Sequence, residues 1–166
     1  MKKYSVFLVL LFITIKSYAC SCNEIKIKKS YKLADIVFIG EVISFEKVKL
    51  IHEYLYKGKK DIFESYKHNY VFKLKRLYKG KMKTMYVKLS TDPDEAACGY
   101  RFEKGKEYLV YSFKTNLEVN SDLVGVEKKV KPFFTTHLCT RTDELKFVKK
   151  KEFRKLARYE RKYFRK

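Results

Sequence analysis

Short apolar runs separated by lysine-rich stretches organise this chain, and most of them repeat with the two-residue period of strands. Residues 34–50 read as one long strand. Within it Ile36-Val37-Phe38-Ile39 is apolar on both faces, and Gly40 marks a bulge or bend. Beyond it, Val42, Ser44, Glu46 and Val48 share one face while Ile43, Phe45 and Lys47 share the other. Residues 51–67 are charged and tyrosine-rich around Gly58, the composition of a hairpin extension or a loop. Residues 69–78 set Tyr70, Phe72, Leu74 and Tyr78 against Val71, Lys73 and Lys75, a half-buried strand with one basic edge. Lys79-Gly80-Lys81 turns the chain into a strand over 82–90. Residues 91–97, Thr-Asp-Pro-Asp-Glu-Ala-Ala, form the clearest loop. Lys104-Gly105-Lys106 turns into a strong strand over 107–113. An irregular β segment over 115–130 and a short strand over 133–139 follow. The polar, basic residues 23–32 read as extended.

The period changes after Thr142-Asp143-Glu144. Either Thr142 or Asp143 can cap a helix, and early acids suit its positive end. The helix is predicted over about 143–164. Leu145, Val148, Phe153, Leu156, Tyr159 and Tyr163 form its apolar stripe, which is expected to pack on the sheet. Five or six strands and one helix make a mainly β fold, a small closed or partly closed antiparallel barrel with a C-terminal α-helix.

The first nineteen residues stand apart. Met1-Lys2-Lys3 is a positive start, residues 6–15 are almost purely apolar, and Ser17-Tyr18-Ala19 supplies a small-x-small cleavage site. That is the pattern of a secretory signal peptide over 1–19, and the run is too short to span a bilayer. The residues before Cys20 suit ordinary signal cleavage better than lipoprotein processing. The chain is therefore expected to be exported, with a mature domain over 20–166 that starts at Cys20, has no membrane span and works as a monomer.

Composition changes this picture little. The formal charge of the whole chain is +20, and about +17 remains once a leader with three lysines and no acids is removed. Such a charge fits anionic glycans or other polyanions as partners. The lysines are spread along the chain, however, alongside abundant Ile, Tyr and Phe, as an AT-rich coding sequence would produce without selection for binding.

Cysteine usage says more. Cys20, Cys22, Cys98 and Cys139 all lie in the exported part, and an even number in an oxidising compartment reads as two disulfides. A bridge between Cys20 and Cys22 would close a very tight ring of poor geometry. Each of the two is therefore expected to reach one of the distant pair. A four-cysteine zinc site fits less well, because the one close pair is separated by a single residue and the other two cysteines stand alone.

In order along the chain stand Cys20-Ser21-Cys22, then Leu33-Ala34-Asp35-Ile36-Val37-Phe38-Ile39-Gly40, Leu77-Tyr78-Lys79-Gly80, Ala97-Cys98-Gly99-Tyr100, Glu107-Tyr108-Leu109-Val110, and Cys139 before a helix. This series resembles the tissue inhibitors of metalloproteinases, specifically their N-terminal netrin-like domain with an OB-fold barrel. The resemblance spans nearly all of residues 20–160. It implies bridges Cys20–Cys98 and Cys22–Cys139, and no cofactor of the protein's own. It also implies a mechanism in which the free α-amine and carbonyl oxygen of Cys20 chelate the catalytic zinc of a secreted metalloprotease. In that mechanism Ser21 enters the neighbouring specificity pocket, Cys22 and Asn23 complete the wedge, and Glu95, Ala96 and Ala97 form a second contact segment. Unlike animal members, the chain has no third cysteine in 23–32 and no proline after Cys22.

Other chemistry finds less footing. His52, His68 and His137 are scattered without ligand or triad spacing, so no enzyme activity is expected. Asp92, Asp94 and Glu95 lack a calcium-loop pattern. The competing reading is a basic netrin-like module without inhibitory activity. It would bind polyanions or a cell envelope through Lys73, Lys75, Arg76, Lys79 and the helix, as OB-like barrels can.

Overall fold

The computed structural model describes residues 22–23, 25–93, 98–119 and 127–164. Helix α1 (Ile27–Leu33) leads into β1 (Ile36–Tyr56), β2 (Lys59–Lys79), β3 (Tyr86–Thr91), β4 (Glu107–Val119) and β5 (Glu127–Thr135). A two-residue strand β6 (Asp143–Glu144), a 3-10 turn over Leu145–Phe147 and helix α2 (Lys150–Phe164) complete the described chain.

Five strands close a ring. β1 pairs with β2, β2 with β3, β3 with β5, β5 with β4, and β4 back with β1. All these contacts are antiparallel except β3 with β5, which is a short parallel contact at Leu89↔Phe134 and Ser90↔Thr135. The fold is the expected mainly β, OB-like arrangement with a C-terminal helix.

The apolar run in β1 serves two layers because its alternation points to opposite faces. Ile36 and Phe38 join Val42, Tyr70, Phe72, Val87, Leu89, Phe102, Tyr108 and Val110 inside the ring. Phe72 meets Phe102 edge-on at 5.0 Å and Phe38 at 5.5 Å, the arrangement that aromatic quadrupoles favour. Val37 faces outward with Leu109 and Tyr111, and these are covered by Tyr31 of α1 and the fully buried Leu156 of α2. The α2 stripe thus packs on the sheet as its periodicity implies, with Leu145, Val148, Phe153 and Tyr159 around that cluster.

Residues 51–67 are a hairpin extension. β1 and β2 stay paired from Val37↔Lys79 out to Tyr56↔Lys59. Lys57 (φ 49°) and Gly58 (φ 75°) form the two-residue turn, both in the left-handed region that such a tight hairpin requires.

Three expectations are corrected. Residues 23–32 are not all extended, because Ile27–Leu33 is helical. Ile27, Tyr31 and Ala34 recur at helical spacing and pack together on the outer cluster. The Tyr31 hydroxyl donates to the Tyr78 carbonyl at 2.9 Å. Tyr78 does not share a face with Tyr70 and Phe72. Register shifts opposite Val37/Phe38 and Ile39/Gly40 add residues to β2 and turn Tyr78 to the helix side. The C-terminal helix starts at Lys150, not near 143. Asp143 and Glu144 pair with Leu109 and Tyr108 as β6, and the Thr142 hydroxyl accepts the Tyr111 N–H at 3.0 Å instead of capping a helix.

Candidate functional site

The two ends of the domain meet at one edge of the ring. Cys22 is bonded to Cys139 across 117 residues of sequence, with Cα atoms 5.0 Å apart. This is one of the two bridges that the family resemblance implied. Cys22 and Asn23 are both exposed.

Local hydrogen bonds fix Cys139. The Leu138 N–H donates to the Cys98 carbonyl at 2.9 Å, and Gly99 and His137 form an antiparallel bridge. Cys98 is itself disulfide-bonded and adopts φ 57°, rare for a residue with a side chain. The Tyr100 N–H donates to the Thr91 hydroxyl at 2.9 Å and closes the base of the intervening loop. The stem of the predicted second contact loop therefore lies beside the staple of the predicted wedge. Cys20, Ser21, Glu95, Ala96 and Ala97 lie outside the described residues, as do residues 1–19 and the Cys20 side of the Cys20–Cys98 pairing.

A second anchor was not legible in the sequence. Arg141 donates through Nη1 to the Ile25 carbonyl at 2.9 Å, three residues after Cys22. Its Nε and Nη2 grip Glu152 of α2 at 3.0 and 2.6 Å, a two-pronged contact that fixes direction as well as charge. Glu152 is only 5 % exposed, and the buried Tyr111 hydroxyl donates to it at 2.7 Å. Burial, followed by the Glu152 charge, pushes the Tyr111 phenol far above its usual range. Thr136 donates to the Tyr111 carbonyl at 2.8 Å, so the whole 136–142 segment is clamped to β4. No periodicity links an arginine two residues after a cysteine to a glutamate on a distant helix, so only the fold reveals the pair.

His137 carries a pH signature at this edge. Its Nδ1 accepts the Cys139 N–H at 3.2 Å, which requires the neutral ring at that atom. Burial holds its pKa below the ordinary value of 6.5, against the pull of Asp92. An unfolded chain therefore takes up this proton first as pH falls. The stabilisation is fully present above about pH 6.5 and is lost as pH drops through the lower folded value. Thermal unfolding from pH 7.5 to 5 is expected to show a falling midpoint, and His137→Asn, whose amide oxygen can still accept, is expected to remove that component.

The basic edge looks different once built. Lys75 is paired with Glu41 at 2.9 Å and Glu107 at 2.7 Å. Arg76 lies over the Tyr78 ring and 3.5 Å from Glu160. Lys79 donates to the carbonyls of Tyr31, Lys32 and Ala34, closing the C-terminus of α1, and burial lowers its pKa. Lys73 is exposed, and the other three of the four cations on this edge make structural contacts.

Among the described residues no group of three or more His, Cys, Asp or Glu is placed to hold a metal, and no helix is long and apolar enough to cross a membrane. A family model described as TIMP, tissue inhibitor of metalloproteinase, matches residues 18–123, nearly two-thirds of the chain. The matched span ends before Cys139, Arg141 and α2. No curated protein matches the chain.

Proposed function

The chain belongs to the tissue inhibitor of metalloproteinase family, and we propose that it is an exported inhibitor of a zinc metalloprotease whose working end is a mature N-terminus at Cys20. In this reading a leader is cut after Ala19 and the domain runs over 20–166. The observation that carries it is the double anchorage directly behind that end, with Cys22 bonded to Cys139 and the Ile25 carbonyl held by Arg141. Two fixed points within four residues hold the segment directly behind that end, which lowers the cost of ordering it in a protease cleft.

The α-amine and carbonyl oxygen of Cys20 are spaced to close a five-membered chelate on the target's zinc, at the position that catalytic zinc keeps for water. The amine has to be neutral to serve, a modest cost near neutral pH given a reference pKa of roughly 7.7–8.0. Ser21 then enters the pocket beside the metal, and Glu95-Ala96-Ala97 makes the second contact. The bridge Cys20–Cys98 belongs to the same reading. Its support is that Cys98 is disulfide-bonded while Cys22 and Cys139 occupy each other.

The test begins with intact mass and N-terminal sequencing of the exported, unreduced protein. A chain starting at an unmodified Cys20 is expected. That form is then titrated against a panel of secreted metalloproteases beside forms acetylated or extended by one residue at the N-terminus. Inhibition is expected from the free-amine form and is expected to be lost from both modified forms at the same concentrations. A lipidated Cys20, a different first residue, or equal inhibition by the acetylated form would overturn the chelation mechanism.

A further inference from the structure

Strand β1 has an open edge. Near its start that edge is taken: Ile36–Glu41 pair with β4, and Val42 is held by Lys106 and Gly105 through backbone hydrogen bonds of 3.0 and 2.8 Å. From Ser44 to Tyr56 the strand pairs with β2 on its other side, and among the described residues no strand covers the edge. The pairing with β2 has no register shift beyond Ser44, and the stretch holds no proline. At strand rise this is an open edge of about 40 Å. Native sheets blunt such edges with short strands, bulges or proline, because a row of unused N–H and C=O groups is a template for another strand. Two strands alone are also marginal in water, and this ribbon runs on past the last β2–β3 pair at His68.

The ribbon also carries an apolar face and little net charge. Phe45, Ile51, Ile62 and Tyr66 are four of the eight exposed large apolar side chains among the described residues. The register puts all four on one face of the ribbon. On that face Lys49 is matched by Glu64 at 2.6 Å, and Lys47 lies over the Tyr66 ring at 4.1 Å. Residues 43–67 hold six lysines and four acids, so each ribbon contributes only +2 to the repulsion between two copies of a chain of +20.

The edge is complementary to itself. An open antiparallel edge offers N–H and C=O groups from every second residue only. Two copies of β1 can therefore pair about a two-fold axis only with odd positions opposite odd and even opposite even. An axis at Lys49 sets that lysine against its own copy, which like charges oppose. An axis at Ile51 runs Phe45 and Ser44 into the turn at Lys57-Gly58. An axis at Leu50 sets Lys47 opposite Glu53 twice and places no like charges opposite each other. It also uses the whole edge, with Ser44 opposite Tyr56, and stops where Gly105 and Lys106 already hold Val42. Ile51 of each copy then falls diagonal to Ile51 of the other, within reach of side-chain contact. We propose that β1 pairs antiparallel with β1 of a second copy about a two-fold axis at Leu50, joining the two ribbons into one four-stranded sheet. The product is a closed dimer in place of the monomer expected from the sequence. β3 and its Thr91 lie on the far side of β2, so the pairing leaves the proposed inhibitory edge uncovered and does not depend on that reading.

The test uses the oxidised full mature protein at about 0.15 M salt, with the dimer dissociation constant taken from sedimentation velocity over a concentration series. A dimer is expected at tens of micromolar, and amide exchange over residues 44–56 is expected to slow at every second position as the concentration rises. Lys47→Glu and Glu53→Lys are each expected to weaken the dimer by about tenfold, although they move the net charge in opposite directions. Lys47→Glu/Glu53→Lys is expected to restore it to within about threefold of the parent, which separates lost pairing from lost folding. A parent protein that stays monomeric throughout the series would overturn the proposal. So would weakening by Glu53→Lys together with strengthening by Lys47→Glu, the mark of net charge alone. A dimer undiminished in both single variants, with slowed exchange outside residues 44–56, would place the contact on another surface and overturn it equally.

Discussion

Removing the staple, as Cys22→Ser/Cys139→Ser, is expected to lower unfolding stability by about 2–5 kcal/mol and to weaken protease inhibition by much more than the protein unfolds. The bridge closes a loop of 117 residues, near the upper range of the chain-entropy effect. Residues 137–139 keep their own hydrogen bonds to Cys98 and Gly99, so the ring of strands should survive its loss. What changes is the tether of the exposed segment Cys22-Asn23, which would then be held by Arg141 at Ile25 on one side and only by the proposed Cys20–Cys98 bridge on the other. Guanidinium unfolding without reductant measures the first effect, and inhibition assayed well below the unfolding midpoint measures the second. Using the double variant avoids a stray thiol that could exchange with the remaining bridge. Undiminished inhibition by this folded variant would show that the staple does not hold the working end.

The strands were legible because their signal is local. Alternation around Tyr70 and Phe72, and the two-faced run Ile36–Ile39, follow directly from the pleat, and both faces of that run are in fact covered, although Ile39 is only partly buried. The errors arose where a single residue changes phase or where tertiary contacts replace a local signal. Tyr78 lies six residues after Phe72, the same face by counting, yet register shifts in the β1–β2 pairing turn it outward against Tyr31. Thr142-Asp143-Glu144 has the residue types of a helix start, but at Tyr108 and Leu109 the edge of β4 opposite β1 is not covered by β5, and it takes Asp143 and Glu144 as a strand first. Helix α1 is seven residues long, below the length at which a helix holds by itself in water, so its existence depends on Tyr31 and the Lys79 clasp from β2.

The candidate site divides along the same line. The cysteines were legible as a set because their even number and the close spacing of Cys20 and Cys22 send each of these to a distant partner, whereas the choice of Cys139 for Cys22, which the structure shows, came from the family resemblance. Arg141 and Glu152 were not, since their meeting depends on how α2 lies across β4.

Glu152→Ala is expected to be among the most damaging single substitutions outside the disulfides, costing about 3–5 kcal/mol. It strips both prongs from a largely buried Arg141 and leaves the buried Tyr111 hydroxyl without its acceptor. Glu152→Gln keeps oxygen and shape, so it is expected to cost less, about 1–3 kcal/mol, as the loss of charge assistance. Arg141→Leu/Glu152→Leu removes both charges together and is expected to be milder than Glu152→Ala, because no buried ion is left unpaired. A double-mutant cycle on thermal or denaturant midpoints measures this difference. Inhibition gives the functional half. Arg141→Leu/Glu152→Leu restores packing without restoring the bond to the Ile25 carbonyl. If that bond positions the N-terminal end, this double variant recovers stability but not inhibition, whereas a purely structural pair would recover both together.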